Sequence, residues 1–138
     1  MRIYTDGVFD LFHRGHIECF KYIKNKYPNS ELIIGVVSDK DCESYKRIPI
    51  ICEEDRLEII KSIKYIDNVI FPCPLLISEE FMKVNKFDLV MHGFSDKNDV
   101  EVQSKFFKVA LDLNMFESMP YYQESSTTDI IERVKNGG

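Results

Sequence analysis

The run Leu32-Ile33-Ile34-Gly35-Val36-Val37 constrains the fold more than any other part of the chain. Six consecutive residues without a polar side chain read as a strand covered on both faces, because a strand with one wet face alternates. Such strands belong to parallel sheets flanked by helices. The remaining sequence supplies partners: Arg2-Ile3-Tyr4 as a short buried strand, Asn68-Val69-Ile70-Phe71 as a third, stopped by Pro72 and Pro74, then Leu89-Val90-Met91 ending at His92-Gly93, and a fifth from Met115 to Tyr121. Between them, helical spacing runs from Ile17 through Phe20 and Ile23, from about Glu53 to Tyr65, from Val102 to Leu113 and from Thr128 to Lys135. Ser78-Glu79-Glu80-Phe81 has the form of a capped helix start, and Ser38-Asp39-Lys40-Asp41 reads as a polar loop at a strand's carboxyl end. This alternation predicts a single doubly wound, Rossmann-like α/β domain over residues 1–138, with a five-stranded parallel sheet and right-handed crossovers. Ligands of such sheets bind at the carboxyl ends of the strands.

Charge and composition narrow the partners. A net charge of −5 argues against general nucleic-acid binding, which needs a basic face to displace counterions. No apolar run is long enough for a membrane span, and the N-terminus enters a strand without the pattern of a signal peptide, so a cytoplasmic enzyme is expected. Cys19, Cys42, Cys52 and Cys73 include no Cys-x-x-Cys pair and read as free thiols.

The chemistry concentrates between the first strand and the first helix, in Asp6-Gly7-Val8-Phe9-Asp10-Leu11-Phe12-His13-Arg14-Gly15-His16. Gly7 and Gly15 permit backbone geometry and close approaches that a Cβ obstructs. The following helix start presents free amides to an anion. His13 and His16, three residues apart, can face the same bound group and donate hydrogen bonds to charge that grows during reaction. His-x-x-His is also half of a zinc set, but no cysteine or third histidine stands at a suitable short spacing, so no resident metal is expected.

This stretch resembles the DGxFDxxHxGH signature of the cytidylyltransferases, HxGH nucleotidyltransferases that join CTP to a phosphorylated alcohol. The resemblance is strongest to the phosphoethanolamine and phosphocholine members. It implies His13, His16 and Lys46 as catalytic residues. It implies Val8, Phe9, Gly15, His92, Ser126, Thr127 and Thr128 at the nucleotide, and Asp6, Asp10 and Lys46 at the acceptor. A carboxylate at Asp6 suits an ammonium headgroup. Ser126-Thr127-Thr128-Asp129-Ile130-Ile131 resembles the S-T-[ST]-D-I-I part of a second signature, whose hydroxyls and amides would hold the β- and γ-phosphates. Tyr65-Ile66-Asp67-Asn68-Val69 resembles a Y-V-D-E-V segment that supports a dimer in relatives, implying a homodimer. Mg²⁺ is expected to accompany CTP.

Departures from the family pattern are equally definite. Where the second signature opens R-T-[EQ]-G, this chain has Tyr121, Tyr122, Gln123 and Glu124. The loop after His92-Gly93 carries Phe94 and Ser95 in place of acidic residues, with Asp96 displaced. The aromatic cage for trimethylammonium is incomplete, with Leu75 in the place of a tryptophan and Phe107 in that of a tyrosine, which favours a primary ammonium. Two other readings keep the fold: an adenylyltransferase or glycerol 3-phosphate cytidylyltransferase, and a non-catalytic nucleotide-binding subunit.

Overall fold

The computed structural model describes residues 1–122 and 126–137. Five strands, β1 (Arg2–Gly7), β2 (Glu31–Val36), β3 (Asn68–Ile70), β4 (Leu89–His92) and β5 (Phe116–Ser118), form one all-parallel sheet in the order β3-β2-β1-β4-β5. Helices are α1 (Arg14–Lys26), α2 (Asp39–Tyr45), α3 (Glu53–Lys61), α4 (Glu79–Val84), α5 (Lys97–Gln103), α6 (Lys108–Asp112) and α7 (Thr127–Lys135), with a 3₁₀ turn over Ser104–Phe107.

Alternation within the strands divides the core in two. Ile3, Leu32, Ile34 and Val36 face Phe20 and Ile23 of α1 and Ile60 of α3, whereas Tyr4, Ile33 and Val90 face Met82, Phe87, Phe107 and Ala110 on the other side. Both faces of β2 are thus dry, as its unbroken apolar run requires. Gly35 is fixed by this packing: a Cβ there would collide with the Tyr4 hydroxyl and lie 2.8 Å from the Cys73 Cβ. The strand order reverses between β1 and β4, and the connections leaving their carboxyl ends diverge there to leave a crevice.

Several boundaries differ from the expectations. Ser38–Asp41 is not a loop: the Ser38 hydroxyl accepts from Asp41 N and starts α2. The helix expected to reach Tyr65 ends at Lys61, and Ile63, Tyr65 and Ile66 pack on the core from the following turns. The helix expected from Val102 begins at Lys97 behind an Asp96 cap and continues through the 3₁₀ turn into α6. The fifth strand covers only Phe116–Ser118 before Pro120. In the Tyr65–Val69 segment, Asp67 accepts from Lys24 Nζ at 2.7 Å and Leu32 N at 2.8 Å, so its carboxylate is used within its own chain. The four cysteines are unpaired, and among the described residues no helix is long and apolar enough to cross a membrane.

Candidate active site

A cavity of about 480 Å³ occupies the crevice above β1 and β4, and it is lined by the loop after β1, the start of α1, the end of α2, the β4 end and the start of α7. The loop after β1 is tightly wound. Phe9 and Leu11 adopt positive φ, 57° and 47°, so the left-handed backbone falls on these two residues and not on the glycines that the sequence suggested for it. Gly7 is needed for a different reason. The Phe9 ring folds back over it, and a Cβ would lie 2.8 Å from that ring's tip.

The two histidines cap α1 reciprocally. Gly15 N donates to His13 Nδ1 at 3.0 Å, and His13 N donates to His16 Nδ1 at 3.1 Å. With both Nδ1 atoms accepting, each neutral ring carries its proton on Nε2. The rings lie 4.0 Å apart between centroids, and Phe12 stacks on His16 at 5.1 Å. Burial, followed by the charges of His13 and Lys46, pushes the His16 pKa down to about 3, and burial also lowers that of His13. Both are therefore uncharged donors at neutral pH.

The second signature closes on the first. Thr127 Oγ1 donates to the Asp10 carbonyl at 3.0 Å and lies 3.3 Å from His13 Nε2, where it accepts the ring proton. Ser126, Thr127 and Thr128 line the cavity with the open N-terminus of α7, which Ser126 caps through Asp129 N. Lys46 enters from the end of α2, and among the described residues its ammonium has no hydrogen-bond or ion-pair partner. Val8, Phe9, Gly15 and His92 share the same walls.

Asp6 and Asp10 have different roles. Burial raises the Asp6 pKa to about 7; His92 Nδ1 lies 3.8 Å from its Oδ1, and burial lowers the His92 pKa to about 4. Asp10 was expected at the acceptor, but its carboxylate is already filled. It accepts from Leu11 N, Ile50 N, Ile51 N and Arg47 Nη1, the last at 2.7 Å. Burial alone would raise its pKa, and these donors outweigh that and lower it. Asp10 thus lines the cavity while its carboxylate clasps the 47–51 loop behind Lys46.

Sequence reasoning missed several lining residues: Cys19, Tyr45, Arg47, Asp99 and Gln103. Asp99 returns an acid to the loop where Phe94 seemed to remove it. The Phe94 ring packs against His92 and Phe107, while the Asp99 carboxylate accepts from Ser95 N and Gln103 Nε2. The Asp96-x-x-Asp99 spacing, a helix-start pattern, was the available signal. Tyr121, in the place of the arginine, and Tyr122 line the cavity, and Arg14 lies over the Tyr122 ring at 5.6 Å. Gln123 and Glu124 lie outside the described residues.

Residues 4–133 match the family described as Cytidylyltransferase-like. The chain belongs to that family. Choline-phosphate cytidylyltransferase A of Mus musculus is 33% identical over 137 residues, covering 97% of this cytidylyltransferase-like chain and 36% of that protein. Ethanolamine-phosphate cytidylyltransferase of Arabidopsis thaliana is 28% identical over 97% of this chain and 32% of its own length. The FAD synthase of Pyrococcus horikoshii is 33% identical, covering 97% of this chain and 92% of that one. A solved structure of a lipopolysaccharide core biosynthesis protein from Thermoplasma volcanium superposes with a TM-score of 0.66 at 28% identity, over 89% of this chain and 98% of that one. The chain thus spans little more than a third of the choline-phosphate relative and most of the FAD synthase.

Proposed function

We propose that this chain transfers CMP from CTP to a phosphorylated amino alcohol of the phosphoethanolamine or phosphocholine type, releasing pyrophosphate. One observation carries the reading: two imidazole Nε2–H groups, the Lys46 ammonium, unpaired among the described residues, and the α7 N-terminus converge on one cavity that also holds the buried Asp6 carboxyl. An acceptor phosphate oxygen attacks the α-phosphorus, the bond to the bridging oxygen breaks, and its electron pair leaves with pyrophosphate. The acceptor phosphate is largely ionised at neutral pH, so no protein base is required. Catalysis reduces to alignment and charge neutralisation. His16 donates to an α-phosphate oxygen, His13 joins it by exchanging its Thr127 contact for a second α-oxygen, Lys46 bridges α- and β-oxygens, and Ser126 to Thr128 receive the departing pyrophosphate.

Mg²⁺ belongs to this proposal only as a companion of the triphosphate. Asp10 and Asp99 accept from protein donors, and phosphates and water would supply most of the ion's coordination. A homodimer is likewise part of the proposal, with equilibrium sedimentation as its check.

Asp6 gives the reaction a pH signature. Its carboxyl is protonated below about 7 and ionised above, and only the ionised form attracts an ammonium. The acceptor KM is expected to fall as pH rises from 6 to 8 and then to level off. The acceptor's own phosphate also titrates near 6, and Asp6→Asn, which keeps that titration alone, should flatten the profile. An unchanged profile in Asp6→Asn removes Asp6 from the acceptor site.

A second reading, adenylyl transfer from ATP to a flavin mononucleotide, is favoured by the near full-length match to an FAD synthase. Thermal shifts with CTP, ATP, GTP and UTP separate the two. CTP alone should stabilise the protein, and pyrophosphate should appear with CTP plus phosphoethanolamine or phosphocholine. Stabilisation by ATP alone transfers the assignment to the second reading, and nucleotide binding without turnover on any acceptor points to a non-catalytic subunit.

A further inference from the structure

The cavity that Asp6 lines holds a second polar side chain within reach of its charge. Tyr45 ends α2, immediately before Lys46, and lines both the main cavity and an adjoining one of about 190 Å³ bounded by Lys46, Asn98, Val102 and Gln103. Its half-buried ring packs on the Val8, Val37, Cys42 and Cys73 cluster and meets Phe106 edge-on at 5.6 Å. That packing fixes the ring and leaves the hydroxyl unused: among the described residues it makes no hydrogen bond, and unlike the Tyr4 hydroxyl it is not sealed away. Burial, then the Cys42 thiol and the Asp6 carboxylate, keep the phenol protonated well beyond neutral pH.

We infer that Tyr45 sets the choice of acceptor, its hydroxyl accepting a hydrogen bond from a primary ammonium that Asp6 neutralises, so that the substrate class is a phosphorylated primary amine and not a quaternary one. The inference rests on the amino-alcohol reading above. A primary ammonium carries three N–H donors, more than one carboxylate in a desolvated corner readily satisfies, and an N–H left over is costly. Tyr45 supplies a further acceptor. A trimethylammonium group has no N–H to offer, so the phenol would be left unpaired, and it needs aromatic faces on several sides. The two family cage positions do not supply them. Leu75 packs into the Val8 cluster, and Phe107 is 1% exposed with its ring against His92, so neither lines the cavity. A site built around a hydrogen bond discriminates strongly against an analogue that lacks it.

The test is a methylation series: phosphoethanolamine and its N-methyl, N,N-dimethyl and N-trimethyl forms, each with CTP, on the wild type and on Tyr45→Phe. The substitution keeps the ring and its packing, which thermal unfolding verifies. In the wild type, kcat/KM should drop stepwise as methyls replace N–H groups. In Tyr45→Phe, the ratio of phosphoethanolamine to phosphocholine should fall about tenfold, through a higher KM for phosphoethanolamine and an unchanged or lower one for phosphocholine. A wild type indifferent to methylation overturns the inference, as does a variant with an unchanged ratio. Absence of turnover on all four overturns the amino-alcohol reading itself and this inference with it.

Discussion

Replacing Arg56 by Met should cost roughly 3–5 kcal/mol of folding stability and lower the midpoint of thermal unfolding by roughly 10–20 °C. Arg56 is 0% exposed and spends its guanidinium on four partners: Val8 O at 2.7 Å, Val37 O at 2.8 Å, Ile51 O at 3.0 Å and Asp39 Oδ1 at 2.6 Å. Val8 and Val37 are the residues just beyond β1 and β2, so one side chain closes both strand ends beneath the cavity. Asp39 and Glu53 add reciprocal bonds, Asp39 N donating to Glu53 Oε1 and Glu53 N to Asp39 Oδ2. Methionine restores most of the volume and none of the donors, leaving three carbonyls without that donor and Asp39 with only the Glu53 amide. Each unsatisfied buried group costs about 1–3 kcal/mol, and partial water access to Asp39 keeps the total below the sum. Arg56→Lys should fall between, because an ammonium keeps the charge and loses the fork. Urea denaturation of the three proteins checks the order. A loss below about 1 kcal/mol in Arg56→Met would mean that water reaches those carbonyls.

The same residue marks where sequence reasoning stops. Arg56 lies within the first turn of a readily visible helix, but its partners stand 5, 17, 19 and 48 residues away, and no periodicity encodes them. The strands were legible because Leu32–Val37 and Leu89–Met91 are apolar enough to declare burial on their own. α2 and α5 were not, since Asp39–Tyr45 and Lys97–Gln103 are mostly polar and each buries a single residue; only their capping residues Ser38 and Asp96 announced them. The site divides in the same way. His13, His16, Lys46 and Ser126–Thr128 are carried by contiguous motifs and meet in one cavity. Asp10 sits in the same motif, yet its occupation by Arg47, Ile50 and Ile51 depends on how a loop some forty residues on folds back over it. Tyr45 had no pattern to announce it, because its meaning comes from lining the same cavity as Asp6.

His16→Ala should lower kcat by about 10²–10³ while changing CTP affinity several-fold at most, measured by pyrophosphate release beside equilibrium binding. The argument turns on protonation. His16 Nδ1 is held by the His13 amide, so the proton sits on Nε2 and points into the cavity, and with a pKa near 3 the ring cannot exchange that donor for a charge at working pH. A neutral donor binds the ground-state α-phosphate weakly and gains as oxygen charge grows in the transition state, which places its effect in kcat. For the same reason His16 should contribute no limb to kcat/KM between pH 5 and 8; the inflection near 7 belongs to Asp6. Alanine also strips the cap from His13 N, at a cost of about 1 kcal/mol in stability. His16→Gln separates the two effects, since glutamine at the third helical position can restore the cap without the imidazole's reach. Stability near wild type with turnover still depressed assigns the loss to the missing Nε2–H, whereas recovered turnover would make His16 a helix cap and leave His13 and Lys46 to stabilise the α-phosphate. Equal losses in kcat and CTP affinity would instead put His16 in ground-state binding.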